Sequence, residues 1–259
     1  MDPRRRALIT ALSLAAAPRA FAQPAALTIA AASDLRFALD EVVQPWRAAN
    51  AGARIELIYG ASGKHATQVR NGAPFDVFLS ADRSFAEDLH KDGLSAGAPR
   101  LYAVGHLVAW STDAALGRLP LAELVRHPQV RRFAIANPEV APYGRRAMEA
   151  LRSQGLAEVV QPKLVLGENI AQAAQFVESG AAQAGLVALS LVLAPALQGK
   201  GAYTPVPESW HSVLEQAMVV TRRAADNRLA HAFVAYLESP AARASLRRYG
   251  FALPGEPRP

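Results

Sequence analysis

The chain has 259 residues, 51% of them hydrophobic, and carries 28 Lys and Arg against 22 Asp and Glu. That length supplies core for one large domain or two modest ones. The absence of cysteine excludes disulfides, thiolate catalysis and cysteine-based zinc sites. The basic residues are scattered without aromatic interleaving, which argues against nucleic acid as a partner.

Arg4-Arg5-Arg6, the apolar run Ala7 to Ala17 and the small-x-small triplet Ala20-Phe21-Ala22 predict a signal peptide over residues 1–22, with Gln23 as the mature N-terminus. The run is too short to span a bilayer. No cysteine follows it to take a lipid, and the paired arginines leave the Tat route open beside Sec. Cleavage would remove Arg4, Arg5, Arg6, Arg19 and Asp2 and lower the net charge from +6 to +3, so the high isoelectric point belongs partly to the leader.

Beyond the leader, strand and helix signals alternate. Leu27-Thr28-Ile29-Ala30 reads as a strand, and after Ser33 the residues Leu35, Leu39, Val42, Val43 and Trp46 recur at helical spacing. Ile55 to Tyr59 is a second strand, turned by Gly60-Ala61-Ser62-Gly63 into a helix that Asn71-Gly72-Ala73-Pro74 ends. Phe75 to Ser80 is a third strand, apolar enough for burial on both faces, followed by a helix from about Ser84 to Lys91. This order predicts a parallel sheet with helical crossovers.

Leu101 to Trp110 reads as one long strand crossing into a second unit. There a helix (Leu121 to Arg126), a strand (Arg132 to Ala136), a helix opened by Ala141-Pro142-Tyr143-Gly144, a strand (Lys163 to Leu166), a helix capped by Asn169 and a strand (Ala184 to Leu189) follow. Gln216 to Thr221 is the expected return strand. Helices Asn227 to Leu237 and Pro240 to Tyr249 close the chain, the second stopped by Gly250, and residues 253–259 read as a loose tail.

Four strand-to-helix turns share one chemistry: Ser33-Asp34, Ser62-Gly63, Tyr143-Gly144 and Asn169-Ile170. Each offers helix N-terminal amides, and the first two add a hydroxyl read as an N-cap. Such neutral donors, helped by the helix dipole, suit a small anion. In open parallel sheets ligands sit at the carboxyl ends of the strands, where all four turns lie. Ordinary helix capping is the plainer reading of any one of them. Asp34, beside the first turn, reads as a surface carboxylate favoured by the dipole; turned into the cleft, it would favour a protonated oxyanion such as phosphate. Asp76 and Asp82 read as capping or hinge residues. The six histidines show no metal-ligand spacing, so no free metal cation site is expected. A G-x-S-x-G nucleophile elbow around Ser62 fails because position 64 is Lys.

Ala31-Ala32-Ser33-Asp34-Leu35, Gly60-Ala61-Ser62-Gly63, the segment Gly72 to Asp82, Tyr102 to Val108, Asn137-Pro138 with Ala141 to Gly144, and Arg248-Tyr249-Gly250-Phe251 resemble the signature segments of the periplasmic molybdate-binding proteins. The resemblance spans nearly the whole mature chain and implies an α/β, two-lobed type II periplasmic binding protein. Each lobe would be a mostly parallel sheet flanked by helices, with the ligand in the interlobe cleft. On this pattern lobe 1 covers 23–104 plus 221–259, and lobe 2 covers 105–220.

The resemblance further implies capture of molybdate, and of tungstate with it, in the periplasm, with delivery to the permease subunit of an ABC importer. No cofactor and no catalysis are implied, and the chain would act as a monomer. Position by position, Ser33 and Ser62 would give hydroxyl and amide donors, Tyr143 and Ile170 backbone amides, and Asp34 a weaker backbone contribution. One departure concerns Ala188: a branch of the family has a tyrosine there whose phenol reaches the ligand. The alternatives are a binding protein for sulfate or phosphate, or a hydrolase using Ser62.

Overall fold

The structure, a computed structural model, describes residues 26–256. The signal peptide expected over residues 1–22 lies outside the described residues. The first sheet begins with β1 (Ala26–Ala32) and β2 (Arg54–Gly60), joined by a short 3-10 turn (Ser33–Leu35) and α1 (Arg36–Ala49). Helix α2 (Ser62–Arg70), β3 (Val77–Ser80), α3 (Arg83–Lys91) and β4 (Arg100–Gly105) follow.

The second sheet takes β5 (Leu107–Ser111), β6 (Phe133–Ala136), β7 (Leu164–Gly167), β8 (Ala184–Ala188) and β9 (Ala202–Pro205). Between these strands lie α4 (Ala114–Gly117), α5 (Leu121–Arg126), α6 (Pro142–Ser153), α7 (Ala157–Val160), α8 (Ile170–Glu178) and α9 (Leu189–Val192). The chain then returns as β10 (Leu214–Val220), α10 (Arg228–Leu237) and α11 (Pro240–Arg248).

The strand orders are β2-β1-β3-β10-β4 and β7-β6-β8-β5-β9. In the first sheet β1 runs parallel to β2 and β3, and in the second β6 runs parallel to β7 and β8. The remaining pairings, β10 with β3 and β4 and β5 with β8 and β9, are antiparallel. Both sheets are therefore mixed. The β-α-β crossovers build the parallel half of each, and the strands next to the interlobe crossings build the antiparallel half. Central strands such as β3, β6 and β8 are buried along their whole length, as expected for sheets covered on both faces. In the first lobe Trp46 of α1 meets Phe233 of α10 edge to face, 5.4 Å between ring centroids, and closes the core over the sheet.

The long strand expected over Leu101 to Trp110 is divided at His106. Gly105 pairs with Leu214 in the first sheet and Leu107 with Ala188 in the second, so an unbroken apolar run serves two sheets. The lobe boundary expected at 220/221 is corrected by the same pairings. All of β10 is hydrogen-bonded between β3 and β4, so the return crossing precedes Leu214. Strand β9 carries no alternating apolar signal and was not anticipated from the sequence. The tail is not loose from Leu253: Ala252 pairs with Val104, and Leu253 is buried.

Candidate functional site

The parallel strands β1, β2, β3, β6 and β7 all release the chain toward the space between the two sheets. Ser33, Asp34, Ser62, Tyr143 and Ile170, which lie on four different turns, border one cavity there, together with Ala81 after β3. The cavity is about 10 Å³, of the order of one water-sized sphere. No lysine, arginine or histidine lines it. Ser33 separates it from a wider, more polar cleft of about 620 Å³ bordered by Arg36, Asp40, Tyr59, Asn169 and Gln175.

The expectation that Ser33 and Ser62 cap their helices through their side chains is not met. Ala32 and Ala61 hold the cap positions, and each serine is the first residue of its helical turn. The hydroxyls are used otherwise. Ser62 Oγ accepts the N–H of Ala81 at 3.0 Å, and Ser33 Oγ accepts the N–H of Ala171, in the other lobe, at 3.3 Å. A hydroxyl has one proton to give and two lone pairs. With a lone pair engaged, each serine keeps its O–H, and among the described residues neither O–H donates to a protein atom.

Ser62 therefore stands as a donor. His65, one turn along α2, puts Nδ1 on Gln68 at 2.9 Å, and burial lowers its pKa, so its ring is neutral at pH 7. From the second lobe, Tyr143 and Ile170 sit in the first turns of α6 and α8, where backbone N–H groups have no intrahelical acceptor. Asn169 caps α8 as read from the sequence, its side chain accepting from Gln172 N. Ala188 ends β8 opposite Leu107, wholly buried and without a donor.

Asp34 is not the surface carboxylate expected. It is 1% exposed at the cavity wall. Gln216 Nε2 donates to its Oδ2 at 2.5 Å, while Oδ1 is buried without a hydrogen-bond partner. Loss of water raises its pKa from 3.8 to about 6, against the downward pull of Gln216 and the neighbouring Tyr143. Tyr102 gives its O–H to Gln216 Oε1 at 2.7 Å, which fixes the amide with its nitrogen toward Asp34.

The Tyr143 phenol points into this buried group and toward the hinge. Its oxygen lies 3.5 Å from Gln216 Nε2, and a Cβ placed on Gly105 would come within 2.1 Å of it. Burial, then the charge of Asp34, pushes the Tyr143 and Tyr102 phenols well above 10. Tyr102 and Gly105 lie in the segment Tyr102 to Val108 that carries the resemblance, with no role read for them there, and Gln216 showed only as one polar side chain in the apolar strand Gln216 to Thr221.

The lobes meet around the cavity. Gly63 N donates to Val140 O at 2.9 Å, an approach so close that a Cβ on Gly63 would lie 2.8 Å from the same oxygen. Ser190 Oγ donates to the Asp34 carbonyl at 2.8 Å. Two ion pairs join the rims, Arg146 to Asp82 at 2.6 Å, both largely buried, and Lys64 to Glu168 at 3.2 Å, both exposed. Asp82 also caps α3 through Ser84 N, as read from the sequence, whereas Asp76 neither caps a helix nor sits at the hinge but accepts from Thr28 N of β1.

Two α/β lobes joined by crossing strands, closed over a small cavity that helix starts of both lobes surround, define a bilobal solute-binding protein. The chain belongs to the family described as bacterial extracellular solute-binding protein, whose model matches residues 27–252. It is 36% identical over 233 residues to the molybdate-binding protein ModA of Azotobacter vinelandii, covering 90% of this chain and 92% of that one. It is 37% identical over 203 residues to ModA of Rhodobacter capsulatus, covering 77% and 78%. Among solved structures, the Azotobacter vinelandii periplasmic molybdate-binding protein superposes with a TM-score of 0.82 at 29% identity, covering 88% of this chain and 99% of that one.

Proposed function

We propose that this protein captures molybdate, and tungstate with it, in the interlobe cavity and delivers the ion to the permease of an ABC importer. The observation that carries the reading is the set of uncharged donors that both lobes bring to one small cavity with no lysine, arginine or histidine on its wall. Ser33 and Ser62 would give O–H and N–H donors, Tyr143 and Ile170 backbone amides, and Asp34 at most its backbone N–H. Each lobe supplies part of the ring, so the ion gains its full set of bonds in the closed state and shifts the protein toward it. Binding is without chemistry, since Ser62 acts through its proton rather than as a nucleophile. The protein would work as a monomer after export by its signal peptide. The ligand named for the relatives supports molybdate over sulfate.

One observation favours a second reading. An ionised Asp34 at the cavity wall would accept a proton from hydrogen phosphate, as it would not from a fully deprotonated ion. Thermal unfolding of residues 23–259 with molybdate, tungstate, sulfate and phosphate in turn separates the two. An ion at about a hundred times its dissociation constant adds about 2.7 kcal/mol, a rise of roughly 5–10 °C for a chain of this size. Rises with molybdate and tungstate, and none with millimolar sulfate or phosphate, are expected. A rise with phosphate alone would move the assignment to the second reading, and no rise with any of the four would overturn both.

A further inference from the structure

Asp34 presents a problem that an oxyanion site has to solve. Asp34 borders a cavity without any cation on its wall, and one of its carboxylate oxygens is buried without a partner. The groups that face it come from every element packed around the turn at Ser33–Leu35. They are Tyr143 of α6, Tyr102 of β4, Gln216 of β10 and Ser190 of α9, none of them positively charged. From α8, Ala171 contributes only its N–H, to Ser33. From β2, Tyr59 turns away to pair with Asp40. On α1, Arg36 is exposed and borders the outer cleft instead. His65 of α2 is neutral at pH 7 and bonds Gln68.

A dianion and an ionised carboxylate would thus share one small, water-poor space with neutral dipoles alone to separate them. At such short range and low dielectric their repulsion is large, and a single proton removes most of it. We propose that capture of the oxyanion takes up one proton, held on Asp34, so that the site binds a dianion together with a proton rather than the dianion alone. The inference rests on the reading of this cavity as an oxyanion site.

The proton comes from solvent and no covalent bond changes. It sits on Oδ1, the oxygen without a partner, while Oδ2 keeps its bond from Gln216. Burial, against the downward pull of its hydrogen bonds, already raises Asp34 to about 6, and a dianion beside it moves the group further in the same direction. Gln216, oriented by Tyr102, fixes which oxygen is left to carry the proton. Affinity then depends on pH because the empty site has to be protonated on binding.

Calorimetric titration of the mature protein with sodium molybdate at about pH 8, in two buffers of different ionisation enthalpy, counts the protons. Uptake of about one proton per ion is expected, with affinity falling about tenfold per pH unit above neutrality. Asp34→Asn should show no uptake and a flat pH profile. Molybdate binding to the wild type without proton uptake overturns the inference, as does a variant that keeps the slope.

Should Asp34→Asn fail to fold, the wild-type proton count decides alone. Infrared difference spectra of the wild type then supply a second readout, with a protonated carboxyl band appearing on binding. Phosphate bound without proton uptake would mean that the ligand's own proton is shared with an ionised Asp34, which also overturns it. If no oxyanion binds at all, the functional reading fails first, visibly and separately, and this inference falls with it.

Discussion

Gly105→Ala tests the closed geometry with the least change in chemistry. Gly105 ends β4 in the first lobe, and the Tyr143 phenol reaches it from the second. An added Cβ would stand 2.1 Å from the phenol oxygen, 2.8 Å from Gln216 Nε2 and 3.0 Å from the Tyr143 Cζ. Carbon contacts settle near 3.5 Å, so the ring has to retreat by about 1 Å. Tyr143 is 1% exposed and packed in the second core, which leaves it no free rotamer to take.

The retreat therefore moves α6 and the amides of its first turn away from the cavity. Overpacking of this kind costs about 1–3 kcal/mol. Gly105 and Tyr143 belong to different lobes, so that part of the penalty falls on the closed state, while the Gln216 contact lies within the first lobe. Molybdate affinity should drop by about five- to 150-fold, and any fall in the unfolding midpoint of the ligand-free protein reports the separate contact with Gln216. Calorimetry gives the affinity, and small-angle X-ray scattering with and without ligand gives the extent of closure. Unaltered affinity with unaltered compaction would refute the juxtaposition of Gly105 and Tyr143, and with it the closed arrangement described here.

Ser62→Ala and Ser33→Ala should both weaken molybdate binding and yet differ in the ligand-free protein. Loss of the Ser62 hydroxyl strands the buried Ala81 N–H within one lobe, at about 1–3 kcal/mol of stability, whereas the Ser33 hydroxyl accepts from the other lobe and its loss spares the open form; equal ligand-free midpoints for the two variants would contradict this. Arg146→Met removes the partner of Asp82 across the lobes, and stopped-flow release of molybdate should quicken by about tenfold or more and lose part of its salt dependence. An unchanged release rate would mean that this pair does not hold the closed state.

For stability against pH, Asp34 is raised from 3.8 to about 6, so between those values the native state holds more of this proton than the unfolded chain does. The contribution is therefore lost as pH rises through that window, amounting to about 3 kcal/mol above it. Asp34→Asn should lack this fall and unfold at higher urea than the wild type at about pH 8. A wild type as stable at pH 8 as its variant would refute the uncompensated burial.

What the sequence made legible follows from how local each feature is. The turns at Ser33, Ser62, Tyr143 and Asn169 are local patterns, a strand run followed by a helix period, and the structure brings all four to one cavity. The capping chemistry at Ser33 and Ser62 was misread because Ser before a helix period signals an N-cap, while the actual cap lay one residue earlier, on Ala32 and Ala61. Asp34 was misread for a deeper reason. Whether a first-turn carboxylate faces water or protein depends on Gln216 and Tyr143, which lie more than a hundred residues away in sequence, the first brought near by the sheet of the same lobe and the second only when the lobes meet. The division of the apolar run at His106 was equally hidden, since sheet membership is decided by partners and not by the run itself.

The interlobe contacts explain why such a cavity would need its ligand. Apart from Gly63 to Val140, the hydrogen bonds and ion pairs named across the cleft pass through side chains: Ser33, Ser190, Arg146 with Asp82, and Lys64 with Glu168. Each is a group that water also satisfies when the lobes part, so each adds little net free energy to closure. Against them stands Asp34, whose desolvation is greatest in the closed state, where Tyr143 of the second lobe covers it. A closed form that gains little from its own contacts and carries a buried carboxylate is poised near balance with the open one. An ion held by donors from both lobes then needs only a modest share of its binding free energy to tip that balance, and the remainder appears as affinity.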